Sequence, residues 1–232
     1  VLLVPDFVGG DNQKATVALS QFLSDAMNIS LEWARLAEDY QVEYFAPQNE
    51  FDWVIRFSFY DNAPEKFEEG VNISNRWHED ILPELKKAFK GKTIYKIASE
   101  SEKSVAKGYD YIGLDFGHYQ NNLKEFRERI NKAYKNAETA AKQSGAGWIV
   151  GEAWMPYRER KGPALGDVLK NSNGEPIDEL QDDYFRIAAE EYLNFSGEIK
   201  PSGFVFIAYI MPAMDVKGRP AEAVLRDFFG KI

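Results

Sequence analysis

The chain has 232 residues, a formal net charge of −9, 44% apolar and 14% aromatic residues, and no cysteine. That composition builds a core, which excludes disordered and collagen-like classes, and its acidic balance argues against binding to a phosphate backbone. Without cysteine there are no disulfides, thiolate nucleophiles or thiolate metal ligands; with only His78 and His118 a multi-histidine zinc centre is excluded, and carboxylates become the expected chemistry.

Short apolar runs alternate with longer amphipathic ones. Val1–Phe7 reads as a strand buried on both faces. The chain starts at Val1 with neither an initiator Met nor a signal peptide, so residues are expected upstream. Residues from about Thr16 to Tyr40 have helical periodicity, and Val42–Pro47 is a second strand that runs into Gln48-Asn49-Glu50. The long segment from Phe51 to Lys90 ends in a helix, Trp77–Phe89, on which His78 sits among Arg76, Glu79 and Asp80 as an expected surface residue. Lys92–Ala98 and Tyr109–Phe116 are further strands, and Asn122–Ser144 is a helix with Phe126, Ile130, Ala133, Tyr134 and Ala137 on its apolar side. Gly147–Gly151 is a strand ending at Glu152. Glu179–Phe195 (helix), Phe204–Met211 (strand) and Ala221–Phe229 (helix) complete the pattern.

Near-continuous apolar strands alternating with helices predict an α/β fold with a parallel sheet. A doubly wound sheet would carry a Gly-rich phosphate loop after its first strand, and neither GxGxxG nor a Walker sequence occurs. Polar residues gather instead at the C-terminal ends of strands: Asp6, Asn49-Glu50, Asp115, His118-Tyr119 and Glu152. That is the pattern of a (β/α)8 barrel, of which six βα units are visible. Residues 1–232 read as a single (β/α) barrel catalytic domain, incomplete at its N-terminus. No apolar run approaches the about 18 residues of a membrane span, and the compartment, extracellular or cytoplasmic, is left open.

Two strands end in a glutamate beside aromatics, Val42 to Glu50 and Gly147 to Trp154. Two carboxylates at one barrel mouth are the pair that glycoside hydrolysis needs, one protonated to donate and one ionised to attack. With two strands between them, Asn49-Glu50 and Glu152 resemble the clan A retaining glycoside hydrolases, (β/α)8 enzymes with an acid/base on the fourth strand and a nucleophile on the seventh. The resemblance implies that Val1–Phe7 is the third strand of such a barrel, with Glu50 as acid/base, Glu152 as nucleophile and Asn49 on the sugar 2-hydroxyl. It also implies that Tyr119 or His118 holds the nucleophile; the histidine common at the end of strand three is absent, and Asp6 is the residue that stands to replace it. The chain departs from the family in having Phe51 where Pro follows Asn-Glu, and Tyr209-Ile210-Met211-Pro212 where a tryptophan platform is usual.

Phe51, Trp53, Tyr60, Phe116, Trp154 and Tyr157 are expected near the mouth, with Trp53 and Trp154 as sugar platforms and Trp33 and Trp148 in the core. The expected activity is retaining hydrolysis of β-glycosidic bonds in a glucan- or mannan-type saccharide. A carbohydrate is then the partner, without nucleic acid, membrane, metal or cofactor. The alternative is a catalytically silent carbohydrate-binding protein on a barrel scaffold. A Schiff-base lyase or aldolase would want a lysine at a strand end, and Lys96 lies inside its strand.

Overall fold

The computed structural model describes residues 2–5, 15–60, 63–98, 103–117, 123–154, 158–161, 164–168, 178–206 and 215–232. In chain order these form β1 (Leu2–Leu3), α1 (Leu19–Asp39), β2 (Tyr44–Phe45), α2 (Phe51–Tyr60), α3 (Phe67–Ala88), β3 (Lys92–Ala98) and β4 (Tyr111–Gly117). There follow α4 (Leu123–Ser144), β5 (Gly147–Trp154), β6 (Arg158–Lys161), β7 (Ala164–Val168), α5 (Asp178–Leu193), β8 (Phe204–Phe206) and α6 (Pro220–Phe229). Six strands make one sheet in the order β1-β2-β3-β4-β5-β8, each pair parallel, while β6 and β7 form a separate antiparallel hairpin that the hydrophobic pattern does not announce. The sheet curls into part of a (β/α)8 barrel, with helices between the strands.

Each strand divides its side chains between two faces, because successive residues point to opposite sides. On the convex face Phe45, Tyr95, Ile97, Ile112, Leu114, Phe116, Trp148 and Val150 join the main core under the helices. On the concave face Tyr44, Ala46, Ile94, Tyr111 and Ile149 pack together at the N-terminal ends of the strands. Above that apolar floor the concave positions are Lys96, Gly113, Asp115 and Gly151, so the floor gives way to charge toward the C-terminal ends.

The helix α1 lies close to its neighbours because its buried positions are small: Ala26, Ser30, Ala34 and Ala37. Its other side leaves Trp33 41% exposed, so the expectation of a core residue is corrected. Trp148 is buried as expected.

The β3–β4 connection departs from simple alternation. Its described part, residues 103–110, holds no helix and runs as a strap over α3. The Asn75 amide donates to the Lys103 carbonyl at 2.9 Å, the Val105 N–H donates to Asn75 Oδ1 at 3.0 Å, and His78 Nδ1 bonds the Tyr109 hydroxyl at 2.9 Å. His78 is completely buried between the strap's Tyr109 and the rings of Phe51, Trp77 and Tyr95, against the expectation of a surface residue. Burial favours the neutral imidazole and lowers its pKa from 6.5 to about 3.

Candidate active site

The loop after β2 is fixed from behind by α1. Ser30, on the small-residue stripe, donates its hydroxyl hydrogen to the Pro47 carbonyl at 2.7 Å and accepts from the Gln48 amide at 2.7 Å. Ala46 continues the strand pairing through its N–H to the Leu3 carbonyl at 3.1 Å. The chain then turns sharply at Glu50, whose φ of 39° is in the left-handed region. A non-glycine residue there costs of order 1–3 kcal/mol, and such strain gathers at functional sites. The Glu50 carbonyl accepts the Val54 N–H at 3.0 Å, so Glu50 opens α2. Asn49 beside it keeps its side-chain Oδ1 buried with no hydrogen-bond partner among the described residues. Asp52, in the first turn of α2, is buried and accepts from the strap's Ser104 hydroxyl at 3.2 Å; burial raises its carboxyl pKa.

Glu152 reaches the concave face by a register shift. Strict alternation would send it to the convex side with Trp148 and Val150. The pairing of β4 with β5 runs Leu114 to Val150 and then Asp115 to Glu152, so one extra residue, Gly151, is accommodated in β5. Such a bulge re-aims the side chains beyond it. Ala153 accordingly joins the convex core, while Glu152 comes level with Asp115 and Trp154 with Gly117. Glycine is needed at the shift: a Cβ on Gly151 would lie 2.8 Å from Asp115 Oδ1 and 3.1 Å from the Gly113 Cα.

A charged layer fills the space these glycines leave. Lys96 Nζ is 2.9 Å from Asp115 Oδ2 and 2.9 Å from Glu152 Oε2. Side-chain exposure rises from 0% at Asp115 through 4% at Lys96 to 14% at Glu152, so the layer climbs from the interior toward solvent. Burial by itself would lower the Lys96 pKa, but the two carboxylates outweigh it and hold the ammonium above its ordinary value. Burial also pushes Asp115 well above the usual carboxylate range; Lys96 opposes this, and the charges of Glu152 and Glu50 add to it. Asp115 therefore senses both glutamates.

The aromatics divide. Trp154 is half-buried, its indole against the backbone of Gly117 on the side of the sheet that carries Glu152. Trp53, on α2, stacks on Phe57 with ring centroids 4.1 Å apart. Phe51 and Phe116, expected at the mouth, are core residues instead: Phe51 packs 4.4 Å from Trp77 under α2, and Phe116 faces Tyr134 on the convex side. Tyr60 donates its hydroxyl to Glu69 at 3.1 Å near the end of α2. Asp6, His118, Tyr119 and Tyr157 lie outside the described residues.

Sequence reasoning passed over Lys96 and Asp115 as one unit. Alternation along Lys92–Ala98 and Tyr111–Gly117 puts both on one face, opposite Tyr95 and Leu114, and that signal was available. Gly113 and Gly151 in otherwise bulky strands were the other available sign of a close approach.

No protein-family model matches the sequence, and no curated protein matches it. Solved structures do. A GH113 β-1,4-mannanase superposes with a TM-score of 0.62 over 93% of this chain at 17% identity. The GH113 β-mannanase from Alicyclobacillus acidocaldarius gives 0.59 over 93% at 12% identity. A β-glucuronidase from an uncultured Clostridium species gives 0.58 over 91% at 12% identity, across 36% of its own length. The chain spans 64% of the length of the mannanases it matches. At these identities the likeness is one of backbone, and it agrees with the parallel order and curl of the sheet. The described part of this chain has the fold of the (β/α)8-barrel glycoside hydrolases.

Proposed function

We propose that the chain is the catalytic barrel of a retaining glycosidase acting on β-linked glucan- or mannan-type saccharides, with Glu152 as nucleophile and Glu50 as acid/base. The observation that carries this reading is the register shift at Gly151, which brings Glu152 onto the concave face, level with Asp115, whose ionisation feels Glu50 as well. In the first step an oxygen of Glu152 bonds the anomeric carbon while the glycosidic C–O bond breaks and Glu50 gives its proton to the leaving oxygen. Glu50, now a carboxylate, then takes a proton from water, whose oxygen attacks the anomeric carbon. The ester C–O bond breaks and Glu152 returns to a carboxylate.

Three further features support the assignment. The strained backbone of Glu50 fixes the direction of its side chain from a rigid loop. The unpartnered Asn49 oxygen is free to accept a sugar hydroxyl, which fits the 2-hydroxyl role. Trp154 offers an apolar face beside Glu152, on which a sugar ring can stack. We assign Asp6, Tyr119 and His118 to the substrate pocket on the resemblance alone, Tyr119 or His118 beside the nucleophile, and Trp53 as a sugar platform on its aromatic character. The Schiff-base alternative needs a neutral amine, whereas Lys96 is held as an ammonium by two carboxylates. The names of the solved neighbours, mannanases and glucuronidases, set the order in which sugars are tried.

The test is a panel of aryl β-mannosides, β-glucosides and β-glucuronides with soluble mannans and glucans, the product anomer being read by NMR before mutarotation. Release with retained configuration, lost in Glu152→Ala and in Glu50→Ala, is the expected result. Wild-type rates in either variant overturn the assignment. Saccharide binding by calorimetry with no bond cleaved over days would favour the silent binding protein instead.

A further inference from the structure

We propose that Lys96 is the positioning residue for Glu152, and that Asp115 beneath it is the counter-ion that keeps the Lys96 ammonium paired while Glu152 is esterified. This rests on the reading of Glu152 as nucleophile. The geometry is a bridge: one ammonium between two carboxylate oxygens, each at 2.9 Å, one carboxylate fully buried and the other at the solvent edge. Lys96 binds Oε2 of Glu152 and so orients the carboxylate, leaving Oε1 for the anomeric carbon.

A bridging ammonium raises a charge problem that the second carboxylate solves. When Glu152 becomes a neutral ester, the buried Lys96 loses half of its pairing. A lone ammonium there would be costly, because a buried charge without a partner has lost its hydration and gained nothing in return. Asp115 answers this from the opposite side. Its tendency to stay neutral comes from burial and is reinforced by the Glu152 charge, so ester formation removes part of what opposes its ionisation. Glu152 thus balances the Lys96 ammonium while it is a free carboxylate, and Asp115 is the group left beside that ammonium while the ester stands.

The space for this layer is built into the backbone. A Cβ on Gly113 would stand 3.2 Å from Lys96 Cγ, and one on Gly151 would strike Asp115 Oδ1. Two glycines side by side on β4 and β5 hold open the room for a lysine stem and a carboxyl group. Among the described residues, the charged and titratable groups that meet in the layer include Lys96 from β3, Asp115 from β4, Glu152 from β5, Glu50 beyond β2 and Tyr184 from α5.

The experiment is a 13C NMR titration of glutamate carboxyl carbons in the whole chain, with the Glu152 signal assigned by its loss in Glu152→Gln. It is run on wild type, Lys96→Met and Asp115→Asn, with Lys96→Gln as a second neutral replacement. Losing an opposite charge at this range raises a carboxyl midpoint by about 1–3 units. The Lys96 variants should show that rise at Glu152, and Asp115→Asn should show none. In parallel, trapping of Glu152 by a 2-deoxy-2-fluoro aryl β-glycoside should slow about a hundredfold in the Lys96 variants, the scale of a misplaced reacting group. The Asp115 variant should also trap more slowly, without the rise in midpoint. An unmoved Glu152 midpoint in the Lys96 variants overturns the proposal, as does an equal rise in Asp115→Asn, which would mean general loosening. A wild-type chain that turns over nothing but shows the two different midpoints sinks the glycosidase reading and leaves the hold of Lys96 on Glu152 standing.

Discussion

At the scale of single residues, the candidate site is governed by two backbone exceptions. Glu50 adopts a φ that most side chains avoid, and Gly151 absorbs an extra position in β5. The second is the more exacting, because its missing Cβ keeps the Asp115 carboxyl and the Gly113 backbone in place. Gly151→Ala should therefore cost about 1–3 kcal/mol, the usual range for an added methyl group in a tight interior. It should also lower turnover more than stability explains, since the displaced carboxyl takes Lys96 and Glu152 with it. Urea denaturation and steady-state kinetics on one preparation measure both effects. An alanine variant with native stability and native turnover would show that the close packing at Gly151 is immaterial.

The elements explain why His78 was misread from the sequence. Polar neighbours along α3 mark that stretch as solvated, and nothing local announces the strap of residues 103–110. The strap is bound to α3 by Asn75 and His78, and it also carries Ser104, which bonds Asp52 at the start of α2. The titration of His78 thus bears on how the site is held. In the folded chain its pKa is about 3 and in the unfolded chain about 6.5, so above 6.5 the two states bind the same number of protons. As the pH falls below 6.5, the unfolded chain takes up a proton that the folded chain refuses. The contribution to stability is complete above 6.5 and is lost progressively toward 3, by about 1.4 kcal/mol for each pH unit well inside that window. Denaturation midpoints at neutral pH and at about pH 5 should show this loss in wild type, and a smaller one in His78→Gln. Equal losses in both would mean that uptake of a proton by His78 on unfolding is not what lowers the stability.

For the whole molecule, the question of scale is where charge is buried. Lys96, Asp115 and Glu152 lie in a barrel interior whose floor is apolar, and replacing a buried ion pair with neutral groups is often neutral for stability or favourable. The double variant Lys96→Met with Asp115→Asn should accordingly fold with stability within about 1–2 kcal/mol of wild type while losing turnover. A calorimetric melt beside the glycoside assay separates the two. Collapse of the double variant would mean that the layer is there for folding rather than for chemistry. Among the described residues no helix is long and apolar enough to cross a membrane.

Much of this architecture was legible in the residue order. Lys92–Ala98 was read with its observed bounds, and the helices α1, α4, α5 and α6 lie where periodicity put them. The parallel sheet follows from that alternation, because apolar strands separated by amphipathic helices can bury both faces in no simpler way. The sequence alone also placed Glu50 and Glu152 at strand ends and excluded thiol chemistry. What it left open was the face on which Glu152 emerges. Strict alternation sends that side chain under the helices; the actual outcome depends on a one-residue shift that exists only when β5 is laid against β4. The union of Lys96, Asp115 and Glu152 was equally a matter for the tertiary structure. Side chains 56 positions apart along the chain meet at 2.9 Å only once three strands are aligned and two glycines leave room. Local pattern determines which residues turn the same way along one strand, but the register between strands decides which of them share a site.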